Sequence, residues 1–235
     1  MVDHDSEMTA DGVVAALEAL RSEAELVNVR KRLGPDEAAI GLRMRDLFAT
    51  AKAHERLPLP EVDRLLDHPA YEPRMAAMCI LDFKARRRLD DDGRAALYEM
   101  YMGRHDRITT WDMVDRSAPR VVGGHLAGRS AAPLHELAGS PDPLRRRTAM
   151  TAPLNFVMSG SDADVAEGFA IAATLATDPD PVVHKPVGIF LKHATGRDPD
   201  AVERFLATHA RSMPRPAVRL AAEKLAPTTR ARDVP

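Results

Sequence analysis

The stretch RITTWDMVDRSAPRVVG, residues 107–123, places the only tryptophan of the chain four residues after an arginine and four before an aspartate. In an α-helix, residues four apart stand above one another on one face. Read as one helix, the segment therefore lines up Arg107, Trp111 and Asp115. Burying an unpaired carboxylate is costly, so this stripe is expected to look outward, into solvent or toward a ligand. Taken singly, Trp111 reads by default as a half-buried packing residue and Asp115 as part of a solvated face, and Arg107 is as easily a surface residue. The other residue types offer less. The nine histidines show no metal-ligand spacing, no His-Glu-x-x-His and no cysteine companions, so no metal site is expected. VVGGHLAG is a helix end and turn rather than a phosphate loop.

The elements that must position this stripe are helical. Ala, Leu, Arg and Met dominate, and apolar residues recur at helical spacing in DGVVAALEALRSEAELV, MRDLFATAKAH and AVRLAAEKL, which predicts an all-α chain. Eighteen prolines fit such a chain when they mark helix starts, where a missing N–H is harmless. HPAYEPRMAAMCIL, SPDPLRRRTAMTAPL and DPDPVVHKPVGIFL share a proline start followed by a basic and then apolar helix. Starts at Pro69, Asp106, Pro141, Pro179 and Pro214 are spaced 37, 35, 38 and 35 residues apart. That period is the signature of a curved α-solenoid of HEAT-like helix pairs. Each second helix bears a basic residue near its start: Arg74, Arg107, Arg147, Lys185 and Arg219. Acidic residues gather between these starts, in LDDDGR, GSDADVAEG and GRDPDAVE. A chain of net charge −2 can thus present a basic inner ladder to phosphates or to an acidic partner.

A length of 235 residues suffices for one large domain. The reading is a single repeat domain over 11–226 between disordered tails at 1–10 and 227–235. No apolar run nears the roughly 18 residues of a membrane span, and the acidic N-terminus has no apolar stretch of the signal-peptide kind. The single cysteine, Cys79, lies in AAMCIL and reads as a reduced core residue of a cytoplasmic protein.

Four segments in order resemble the AlkD-like family of DNA alkylation repair glycosylases. GLRMRDLFATAKAH is similar to its first glycine-plus-helix segment, and LLDHPAYEPRMAAMCIL to its glutamate-x-arginine repeat. WDMVDRSAPRVVGGHL resembles its catalytic helix, and RRRTAM the arginine helix that follows. The resemblance runs from about Leu26 to Leu225. It implies that Asp115 is the catalytic aspartate, Trp111 the tryptophan one turn before it, and Arg147 the arginine that holds a phosphate beside the lesion. Arg74, Arg107, Arg146, Lys185 and Arg219 complete the expected DNA contacts. Two aromatics of the family are replaced, by Ile189 and near Val29.

The family's reaction hydrolyses the N-glycosidic bond of purines alkylated at N3 or N7. Such a base is already cationic and leaves without a general acid, so the enzyme need only stabilise positive charge on the deoxyribose. The resemblance implies a monomer acting on alkylated double-stranded DNA, with no metal, organic cofactor or membrane, and associated with the nucleoid when on DNA. Two other classes remain open at this stage: a non-catalytic DNA-binding relative and a solenoid scaffold for a protein partner.

Overall fold

A computed structural model describes residues 8–225; of the expected tails at 1–10 and 227–235, residues 1–7 and 227–235 lie outside the described residues. Among the described residues the structure is all-helical, without strands, and its packed helix pairs are consistent with a HEAT-like fold. The helix expected from residue 11 begins one residue earlier. Thr9 caps it by accepting from the Gly12 amide, and Ala10 is buried. The chain divides between Ser117 and Ala118 into two compact units, where the sequence reading expects one domain.

The first unit contains α1 (Ala10–Glu18), α2 (Glu23–Arg30), α3 (Met44–Ala53), α4 (Leu59–Leu66), α5 (Tyr71–Ala85), α6 (Asp91–Gly103) and α7 (Trp111–Ala118), whose last residue belongs to the second unit. Its centre is α5, whose residues from Tyr71 to Asp82 are all buried, with α3 and α4 packed against it. The loop before α3 is fastened to the start of α5. The Tyr71 amide donates to the Ala38 carbonyl at 2.8 Å. The buried Glu72 carboxylate accepts from the amides of Ile40 and Gly41, both at 2.8 Å. Gly41 has φ +88°, and a Cβ there would lie 2.5 Å from that of Leu26; no other residue fits this turn.

The second unit holds α8 (Gly124–Leu126), α9 (Ala132–Ala138), α10 (Pro143–Thr151), α11 (Leu154–Ser159), α12 (Asp162–Leu175), α13 (Pro181–Ala194), α14 (Pro199–His209) and α15 (Arg215–Ala221). The helices α9 and α10, and α12 and α13, pair. The second helices α10, α13 and α15 pack side by side, as stacked repeats require. The proline rule holds with a shift. Helices α10 and α13 start two residues beyond Pro141 and Pro179, at Pro143 and Pro181. The reason is the intervening aspartate: Asp142 and Asp180 cap these helices by accepting from the amides of Leu144 and Val182, both at 2.9 Å. That leaves the second proline of each Pro-Asp-Pro at the first helical position.

Cys79 is buried in α5, and burial pushes its thiol up to about 12. Thiolate is the reactive form. Native protein at pH 8 is therefore expected to resist a thiol reagent such as DTNB for hours and to react at once, with one equivalent, in denaturant. Rapid native labelling would show that α5 opens locally.

Candidate functional site

Helix α7 carries the tryptophan and the aspartate, and its boundaries correct the reading of one continuous helix from 107. Residues His105–Arg107 form a 3-10 turn, Ile108–Thr110 are non-helical, and the helix begins at Trp111. The run Ile-Thr-Thr is β-branched, and the Thr110 hydroxyl instead donates to Asp112 at 2.6 Å, the local side-chain bonding that competes with helix. Arg107 therefore leaves the stripe. Its guanidinium lies 2.9 Å from Asp67 and 3.3 Å from Asp106.

Trp111 and Asp115 remain one turn apart. Trp111 is 43% exposed, a rare state for a large apolar side chain in this molecule. Asp115 is half-buried, while Met113, Val114 and Ser117 on the opposite side are buried. After Ala118 the helix widens into a π-type segment, Pro119–Gly123. Pro119 has no N–H for the Asp115 carbonyl four residues back, and π-type widening follows.

The neighbouring carboxylate, Asp112, has a different environment. Tyr71 donates its hydroxyl to Asp112 at 2.6 Å, and Arg32 lies 3.6 Å away. Burial, followed by the charge of Asp112 and this hydrogen bond, pushes the Tyr71 phenol upward, so it stays protonated as the donor. The Trp-Asp-x-x-Asp sequence thus contains one aspartate fastened to the first unit's core and one on the stripe of the exposed tryptophan.

The expected DNA-contacting residues divide by environment. Arg74 is buried and ion-paired with Glu37, which also accepts from Thr109; this arginine fastens the loop before α3. Arg146 is paired with Asp178 at 2.6 Å and donates to the Ser140 carbonyl at 2.9 Å. Arg147 is 2% exposed and donates to the Val182 carbonyl. That carbonyl would ordinarily accept from the amide of residue 186, which is a proline inside α13. Arg147 therefore fills the vacancy that Pro186 creates. Lys185 and Arg219 are exposed, Ile189 is half-buried and Val29 is buried.

A basic groove escaped the sequence reading. Arg211 and Arg215 join Arg219 around a cavity of about 540 Å³ floored by Ala210, Met213 and Val218. None of the three arginines has an ion-pair partner among the described residues. Their four-residue spacing was a readable signal. It was hidden because Pro214 and Pro216 interrupt the helical pattern there. No group of three or more His, Cys, Asp or Glu is arranged to hold a metal among the described residues. No described helix is long and apolar enough to cross a membrane.

Stacked helix pairs with arginine-bearing second helices, and an exposed tryptophan one turn before an aspartate, define a helical-repeat protein of the HEAT-like class. The family model for DNA alkylation repair enzymes matches residues 13–225, and the chain belongs to that family. No curated protein sequence matches it.

Proposed function

We propose that the protein is a monofunctional DNA N-glycosylase for cationic N3- and N7-alkylated purines in duplex DNA. The observation that carries this reading is the pairing of exposed Trp111 with Asp115 on one face of α7, within a chain of the DNA alkylation repair family. Asp115 places negative charge against the oxocarbenium-like sugar and orients the attacking water. Trp111 offers its ring face to the same positive charge, adding about 0.5 to 2 kcal/mol. Arg147, buried and donating to the Val182 carbonyl, supports α13 in this reading, and the phosphate contacts fall to exposed cations such as Lys185 and Arg219. The leaving purine needs no protonation because it is already charged. The direct test is release of methylated base from alkylated duplex DNA by the wild-type protein. Binding to that DNA with no release from any of several cationic lesions would replace the enzyme with a non-catalytic DNA-binding relative.

Duplex binding is supported by the basic groove, and it carries its own expectation. Phosphate contacts give affinity that falls with salt and varies little with sequence. Replacing Arg211, Arg215 and Arg219 by alanine should weaken duplex binding equally on unrelated sequences. The slope of log K against log salt should shrink by about one unit per lost contact. Fluorescence anisotropy across a salt series reads both. An unchanged slope would place the DNA elsewhere.

A further inference from the structure

The helix that carries Trp111 and Asp115 is gripped along the adjacent stripe by two polar contacts, also one turn apart. At its start, Asp112 accepts from Tyr71 Oη at 2.6 Å. Four residues on, Arg116 reaches Asp82 of α5 at 3.1 Å. Asp82 is wholly buried and is also met by Arg86, whose Nε and Nη2 lie 3.0 and 2.8 Å from it. The Arg116 guanidinium packs on two aromatic rings, 4.7 Å from the centroid of Phe48 on α3 and 4.8 Å from that of Phe83 on α5. Two ring contacts and an ion pair together restrict the orientation of a planar cation.

Two fixed points on one face of a helix determine its rotation about its own axis. Residues 111 and 115 stand one position before 112 and 116, about 100° around the helix. Holding Asp112 and Arg116 against α5 therefore dictates where Trp111 and Asp115 face. A core of Met113, Val114 and Ser117 alone would specify this less sharply, since apolar contacts are non-directional.

We propose that Arg116, held by Asp82 and packed on Phe48 and Phe83, is a positioning residue that sets the rotation of α7 and so aims the Asp115 carboxylate. The proposal rests on the glycosylase reading for its catalytic consequence but not for its structural one. An aim that is lost by about 1 Å costs on the order of a hundredfold in rate, without removing any group that touches DNA.

Trp111 is the only tryptophan, so its fluorescence reports the direction of α7 directly. The full-length protein is compared as wild type, Arg116→Met, Arg116→Lys and Phe48→Leu, well below each melting temperature. Arg116→Met is expected to shift the emission maximum and change the acrylamide quenching constant of Trp111 by a factor of about two. Single-turnover excision should fall ~10- to 100-fold, with duplex affinity within about twofold of wild type. Arg116→Lys keeps the charge and should recover part of both signals. Should Arg116→Met fail to fold, Phe48→Leu removes one ring and leaves the ion pair, with the same direction of change expected. Unaltered Trp111 emission and quenching in a folded variant would overturn the proposal. So would altered fluorescence with wild-type excision. If the wild type excises nothing, the glycosylase reading fails, while the fluorescence still decides whether Arg116 sets the helix.

Discussion

Asp115→Asn is expected to lower single-turnover excision of a cationic methylpurine by two to three powers of ten while leaving the fold and DNA affinity intact. Asparagine keeps the shape of the side chain and removes its charge. A carboxylate about 4 Å from the developing sugar cation, at an effective dielectric near 20, interacts by roughly 4 kcal/mol. Each 1.36 kcal/mol corresponds to about tenfold in rate, so the loss approaches a thousandfold, and retained hydrogen bonding to water moderates it. Duplex affinity should hold or rise, because the removed charge repels phosphates. Neutral lesions such as uracil should be released by neither protein, since charge stabilisation alone does not protonate a poor leaving group. Excision by the variant at the wild-type rate would remove Asp115 from the chemistry. Asp112→Asn is the matched control: held by Tyr71 and Thr110, it should affect stability as well as rate.

Glu72→Ala should bring the largest loss of stability, about 3 to 5 kcal/mol by urea or thermal unfolding. Its carboxylate is buried and accepts from the Ile40 and Gly41 amides. Hydrogen bonds to a charged group contribute about 1.5 to 3 kcal/mol each, and alanine leaves both buried donors unmet. The loop they hold cannot relax easily, because Gly41 is in the left-handed region against Leu26. Glu72→Gln, which retains one acceptor oxygen, should lose about half as much. A Glu72→Ala protein within 1 kcal/mol of wild type would mean that water replaces the carboxylate and that the loop is not closed against α5.

The glutamate-x-arginine pattern at 72–74 shows what sequence can and cannot convey. The residues are recognisable, and the buried helix around them follows from the apolar run MAAMCIL just after them. Their partners are not recognisable, since Glu37, Ile40 and Gly41 lie more than 30 residues away and have no helical register to locate them. Arg74 consequently reads as a phosphate contact from its position near a helix start, whereas burial and Glu37 make it part of the scaffold. The helix pairs themselves were legible, because periodicity and proline placement are local. The start of α7 was not, since an Ile-Thr-Thr break is weak beside the Arg-Trp-Asp spacing that spans it. Trp111 and Asp115 could be named as one stripe from spacing alone. That Asp112 is the anchored aspartate required Tyr71, 41 residues earlier.

Pro186 ties Arg147 to the main chain of α13, and any measurement on Arg147 inherits that tie. Its guanidinium completes the main-chain bonding of α13 at Val182, so Arg147→Ala would strip that carbonyl of its donor as well as remove a buried cation. The two losses separate in a background where the helix supplies its own donor. Pro186→Ala restores an amide opposite the Val182 carbonyl, and in that protein the carbonyl no longer depends on the arginine. Whatever Arg147→Ala still costs there in duplex affinity or excision does not come from the Val182 carbonyl. Whatever disappears between the two backgrounds was the helix repairing itself.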